Sequence, residues 1–377
     1  MTSMNNTSFF AQPKFLVGNR ALEHIHVELD GLNACRPMVI TNKIFGKSYA
    51  TRFIRSIADS NITIGALFDD AIPYVNIDEV KRLSGLYRWR KCDSIIALGG
   101  ESVMDFAKSL NLVLNDIKIR ECMEIQTPLI PLVYVATSQI DGFEVTNSVN
   151  IDGKRFYSGY LYPDIVCLDK RMVSPILKMD HLVYSAAGSL AKCIEGLASS
   201  QHNPFLDAMA FSAIQLIVDN LKVVVTHQKE KNAIVGLING IAIAGTISSN
   251  TNGDLVSLIS AILSKETGVS SGKISGILLP HYLQGIIDEK LEFRDEILLA
   301  LVGINNFCSV AKDEKAKKAV EAIKNLIDTL SDYFPKGLKV FNAHEHFLSR
   351  IAIQVSDLSQ GKISQQRCLS FLQQVYH

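Results

Sequence analysis

Between residues 37 and 138 short apolar runs alternate with segments of helical spacing, and this alternation limits the fold more than any other feature of the chain. The runs are PMVITN (37–42), ITIGALFDD (62–70), DSIIALGG (93–100) and PLVYVATS (131–138). Helix-spaced segments at 47–60, 76–90 and 101–115 lie between them. Near-continuous apolar strands alternating with helices predict a parallel sheet covered on both faces. After Pro175 the strand-like runs nearly vanish, and helical patterns occupy 181–200, 204–227, 232–249, 253–265, 272–287 and 315–333. A chain of 377 residues is too long for one compact core. Two domains are expected: an α/β domain over residues 1–178 and an all-α helical bundle over residues 179–377.

Charge narrows the partners. Lysine plus arginine and aspartate plus glutamate number 38 each, so the formal net charge is zero. That balance argues against nucleic acid or an anionic membrane as a partner, and it mildly favours self-association. The charge run DEKAKKA (313–319) is expected to be a solvated helix face. The apolar stretch AIVGLINGIAIAGTISS (233–249) is shorter than the roughly 20 residues of a membrane span and carries Asn239, so a buried, closely packed helix is expected. The opening MTSMNNTSFFAQPKF has no basic segment followed by an apolar one, so no secretory signal is expected. Seven cysteines, odd in number and without a CxxC pair, point to reduced thiols and a cytoplasmic location.

One local motif carries chemistry. In SIIALGGESVMDFAK a strand ends at Gly99-Gly100 and a helix begins at once, with Ser102 placed to cap it and Glu101 in its first turn. Two glycines let a ligand approach the backbone, and the helix N-terminus favours an anion such as a phosphate. This is the arrangement of a dinucleotide site at the carboxyl end of a parallel strand, and hence of a Rossmann-like domain. A tight turn without a ligand has the same pattern.

The same segment resembles the GGGSxxDxAK motif of the iron-containing (group III) alcohol dehydrogenases, to which dehydroquinate synthase is a more distant relative. VYVATSQIDGFEVTNSVNID (133–152) resembles that family's PTTAGTGSEVTPxAVITD segment, and YPDIVCLDKRMVSP its PxVAIxDPxLxxxLP segment. HNPFLDAMA and SGKISGILLPHYLQ resemble ANPxTDALA and HGxANAxLLPHVM, and FLVGNRALEHI fits near the N-terminus. The resemblance spans roughly residues 10–290 in consistent order. It implies an N-terminal domain that binds NAD or NADP, a helical C-terminal domain, an active-site cleft between them, and a dimer or larger homo-oligomer. Carried over residue by residue, it places Gly99, Gly100, Ser102 and Asp105 beside the cofactor, Thr137 and Ser138 in its groove, and Lys154 loosely at the nicotinamide ribose. Asn42 stands where NAD-preferring members carry an aspartate, with Lys43 next to it, so the choice between NAD and NADP stays open.

The family's metal is held by an aspartate and a histidine four residues apart, and by two histidines fourteen apart. Aligned on the shared IEG and LLPH segments, those positions hold Gly188, Lys192, Ser257 and Ser271, and a further family histidine falls on Ala261. None of the four is an ordinary ligand for a divalent cation, and His181, His202 and His281 do not stand at ligand positions. The usual iron or zinc site is therefore expected to be vacant. One expectation is that Lys192 supplies the missing positive charge, with Ser257 and Ser271 as hydroxyl donors. The other is that Lys192 is an ordinary lysine in a wet cleft, paired with Glu195 or with water. Three functions follow: an NAD(P)-dependent oxidoreductase for a small alcohol or aldehyde, an inactive relative that binds a nucleotide in a regulatory role, or, with less support, a lyase or cyclase like the dehydroquinate synthase branch.

Overall fold

The computed structural model describes the chain outside residues 1–8, 11–12, 44–45, 72–74, 119–120, 122–124, 138–139, 141, 174–178, 200–202, 229, 252, 342–344 and 377. Two compact units emerge: residues 11–177, and residues 178–377 together with the first ten. Phe9 and Phe10, grouped by sequence with the α/β half, thus belong to the helical unit. Phe9 stacks on Phe205 at 5.5 Å, and the Phe10 N–H donates to Asn250 Oδ1 at 2.8 Å.

The α/β unit runs β1 (Lys14–Gly18), α1 (Ile25–Gly31), β2 (Pro37–Ile40), α2 (Gly46–Ser56), β3 (Ala66–Phe68), α3 (Ile77–Trp89), β4 (Ser94–Gly99), α4 (Glu101–Leu114), β5 (Leu132–Ala136), β6 (Ser148–Ile151), β7 (Lys154–Tyr157), β8 (Ile165–Asp169) and α5 (Lys170–Val173). Six strands form one sheet in the order β1-β8-β5-β4-β2-β3, every neighbouring pair parallel, while β6 and β7 make a separate antiparallel hairpin. Every residue of β2, β4, β5 and β8 is buried. Their unbroken apolar character reflects cover on both faces. One core gathers Phe53, Ile96, Leu98, Val133 and Val135 with Leu22 and Ile25. A smaller one joins Leu112 to Val149, Ile151 and Leu161 near the hairpin.

The strand expected over 62–70 is shorter, Ala66–Phe68, because it is the sheet edge and pairs with β2 alone. The alternation of apolar runs does not single out β1, β8 or the hairpin. β1 and β7 are half exposed and carry lysines, so neither has the continuous apolar signal of a central strand.

The helical unit contains α6 (Met179–Ala198), α7 (Pro204–Thr226), α8 (Lys231–Ser249), α9 (Leu255–Thr267), α10 (Ser271–Asp288), α11 (Asp295–Cys308), α12 (Lys315–Thr329), α13 (Glu345–Leu358) and α14 (Gln365–Tyr376). Asn203 caps α7 by accepting from the Phe205 N–H, and Pro204 supplies a first residue already fixed for the helix. By length and composition both α7 and α8 could cross a membrane, and α7 is the more apolar, with a mean hydropathy of 1.6 against 1.4. Within the unit they pack on each other and on α6. α8 buries Ile234, Leu237, Ile238 and Ile241, as its all-round apolar surface requires of a core helix. The charge run at 313–319 straddles the start of α12, where Lys318 pairs with Glu321 in solvent and Ala319 turns inward.

Candidate active site

In the α/β unit the end of β4 meets α4 with no intervening loop. A Cβ on Gly99 would come within 2.5 Å of Val103 Cγ2, so only glycine lets the helix start this close to the strand. Gly100, not Ser102, is the N-cap of α4, and no side chain caps the helix. Ser102 lies inside the first turn. The first-turn N–H groups consequently keep their direction toward the strand end, where the helix dipole favours an anion. The Tyr134 hydroxyl on β5 donates to the Gly99 carbonyl at 2.8 Å and fixes the strand end. Thr137, one residue beyond β5, is fully buried, and its Oγ1 has no hydrogen-bond partner. A buried hydroxyl without a partner is costly unless a ligand completes it. A glycine shelf, an uncapped helix and an orphaned hydroxyl together fit a dinucleotide. Asn42 follows β2, the strand beside β4. Ser138 lies outside the described residues.

Charges around the first turns of α4 alternate in sign. Lys108 is buried, and its Nζ donates to Thr146 O at 2.6 Å, Ser148 O at 2.8 Å and Thr146 Oγ1 at 3.3 Å. Burial pushes its pKa down to about 8, against the pull of Asp105. Asp105 accepts from the Asn150 N–H at 3.1 Å, and burial raises its carboxyl to about 6. Asp105 and Lys108 therefore fasten the β6–β7 hairpin to α4. Arg155 on β7 lies 3.5 Å from Glu101 Oε1 and over the Phe143 ring at 5.4 Å. Glu101, whose charge would repel a diphosphate, is thus partly neutralised. Lys154 lies at the exposed start of β7, and its neighbour Arg155 is the residue that reaches the helix N-terminus. The sequence reasoning missed Lys108 and Arg155, although the DFAK segment already marked the first.

In the helical unit Gly188, Lys192 and Glu195 form one stripe along α6, spaced four and three residues apart. At one end the helix meets α10 backbone to backbone. A Cβ on Gly188 would lie 3.1 Å from Gly272 Cα, and one on Gly272 would lie 2.0 Å from the Tyr184 carbonyl oxygen. Ser271, beside Gly272, is exposed at the start of α10. At the other end Glu195 is buried and takes hydrogen bonds from the Val256 N–H at 2.5 Å, the Ser257 N–H at 3.2 Å, and the Ser257 hydroxyl. It caps α9 from across the unit. Burial, with Asp254 adding to it, raises Glu195 to about 8. The Tyr282 hydroxyl donates to Asp254 at 2.9 Å. The structure brings Ser257 and Ser271 to the two ends of the stripe that carries half-buried Lys192.

One expectation changes. Ser257 donates its hydroxyl hydrogen to Glu195, so that hydrogen is not offered to a substrate. Glu195 is engaged with the start of α9 through Val256 and Ser257. A glycine, an ammonium and two hydroxyls offer no carboxylate, imidazole or thiolate to a divalent cation, so this set does not fit iron or zinc. Among the described residues no group of three or more histidine, cysteine, aspartate or glutamate side chains could hold a metal ion. Ala261 is exposed, and His281 is half-buried with burial lowering its pKa. His181 is exposed near the start of α6, and His202 lies outside the described residues.

Comparison with known proteins agrees with this division. Residues 12–170 match the iron-containing alcohol dehydrogenase family, and residues 182–366 match the C-terminal part of the Fe-containing alcohol dehydrogenase family. Long-chain-alcohol dehydrogenase 1 of Geobacillus thermodenitrificans is 24% identical over 368 residues, 94% of this chain and 89% of that protein. The fold matches an alcohol dehydrogenase from Oenococcus oeni with a TM-score of 0.84 at 20% identity, over 98% of this chain and 100% of that one. It also matches sulfoacetaldehyde reductase from Bifidobacterium kashiwanohense in complex with NAD+, with a TM-score of 0.78 at 18% identity, over 98% and 99% of the two chains. The chain belongs to the iron-containing alcohol dehydrogenase family.

Proposed function

We propose that this family member, an alcohol dehydrogenase-like oxidoreductase, interconverts a small alcohol and its aldehyde with NAD(P) and without a divalent metal. The observation that carries the reading is a glycine shelf at Gly99-Gly100 that fits a diphosphate, together with an α6 stripe in which Gly188 and Lys192 stand where the resemblance implies cation ligands. When bound, the dinucleotide supplies or accepts hydride. Gly99, Gly100 and the start of α4 would hold its diphosphate, Thr137 Oγ1 would complete a hydrogen bond to it, and Arg155 would screen Glu101. As an aldehyde oxygen gains negative charge, the Lys192 ammonium offsets that charge and then gives up a proton to form the alcohol, with Ser271 as a hydroxyl donor. Zero net charge and free cysteines at all six described positions support a reduced, cytoplasmic homo-oligomer without a nucleic-acid or membrane partner.

Steady-state NADH and NADPH oxidation over an aldehyde panel tests the reading, with wild type compared with Lys192→Met. Turnover that survives chelation and falls roughly a hundredfold or more in the variant is expected. Equal turnover in both removes Lys192 from the mechanism. Tight dinucleotide binding with no turnover on any aldehyde would favour a regulatory nucleotide-binding role.

A further inference from the structure

The ends of β2 and β3 form a charged corner next to the nucleotide shelf. The two strands are parallel neighbours, with Ile40 opposite Phe68. Beyond the ladder the Thr41 N–H donates to Phe68 O at 2.8 Å, and the Ala71 N–H donates to Thr41 O at 3.1 Å. Those bonds carry Asp69 and Asp70 over the end of β2, beside Asn42 and Lys43. Lys43 Nζ lies 2.9 Å from Asp70 Oδ1, with side chains 73% and 53% exposed. The hydrogen bond to Asp70, its charge, and the more distant charge of Asp69 all hold the Lys43 ammonium above the usual lysine range. Thr41 is buried, and its Oγ1 has no hydrogen-bond partner.

A dinucleotide whose diphosphate rests at the end of β4 places a ribose toward the end of the adjacent strand β2. A carboxylate there accepts from a ribose 2′-hydroxyl and repels a 2′-phosphate, whereas a cation welcomes the phosphate. Asn42 supplies neither charge. Its neighbour Lys43 could bind a 2′-phosphate, but Asp70 engages it, and among the described residues Asp69 leaves this corner with two carboxylates against one ammonium. The ion pair is exposed and worth little to folding, so its main effect is on the local field.

Resting on the cofactor reading above, we propose that Asp70 sets the dinucleotide selectivity of this chain in favour of NAD, by occupying Lys43 and keeping the ribose corner negative. Fluorescence titration of NADH and NADPH tests it without any turnover, using wild type, Asp70→Asn, and Asp70→Asn combined with Lys43→Met. Wild type should bind NADH at least tenfold more tightly than NADPH. Asp70→Asn should narrow that ratio roughly five- to tenfold by releasing Lys43, and adding Lys43→Met should widen it again. Equal or tighter NADPH binding by wild type, or an unchanged ratio in Asp70→Asn, overturns the inference alone. Binding of neither dinucleotide overturns the cofactor reading and this inference together.

Discussion

Glu195 shows how one side chain can neighbour the proposed site at Lys192 and belong to the architecture at once. It stands one helical turn from Lys192, yet its oxygens are occupied by Val256 and Ser257. Its pKa is raised to about 8 by burial and Asp254, so the folded state retains a proton that the unfolded chain releases. The corresponding stability is complete below the unfolded value near 4.5 and is lost as pH rises toward 8. Thermal denaturation should therefore show the melting temperature of wild type falling across that window, and Glu195→Gln should flatten the fall. A parallel decline in both proteins would show that another group titrates. Lys108 has the opposite character: a fully buried ammonium tolerated because three oxygens receive it. Lys108→Met should cost roughly 2–4 kcal/mol in urea denaturation and speed amide exchange first in the β6–β7 hairpin.

Two contacts between elements make contrasting predictions. The α6–α10 crossing is backbone against backbone, and Gly272→Ala would drive a methyl into the Tyr184 carbonyl. A loss of about 3 kcal/mol or more is expected. At Gly188 the gap is wider, and the gain in helix propensity offsets the crowding, so Gly188→Ala should be near neutral. Equal losses at the two positions would contradict this picture of the crossing. The central strands and long helices are legible in the sequence because each declares its burial through its own spacing. The Gly99-Gly100 turn is legible for the same reason, since strand end and helix start are adjacent in the chain. The Glu195–Ser257 and Arg155–Glu101 contacts are not, because 62 and 54 residues separate the partners and no local pattern encodes them. Ser102 misleads as a cap because Gly100, with no side chain, already takes that place.

At the scale of the whole molecule, the proposed function assigns dinucleotide binding to one unit, while in the other glycine, lysine and serine stand where the family resemblance implies cation ligands. Electrostatic stabilisation of a developing alkoxide can come from an ammonium as well as from a metal, provided the charge is already in place when hydride moves. The two chemistries differ in what the purified protein must contain to work. Elemental analysis of the protein, coupled to aldehyde reduction before and after exhaustive chelation, separates them most directly. Iron and zinc far below one ion per chain and an unchanged rate after chelation are expected. Stoichiometric metal whose removal abolishes turnover, and whose return restores it, would contradict the account.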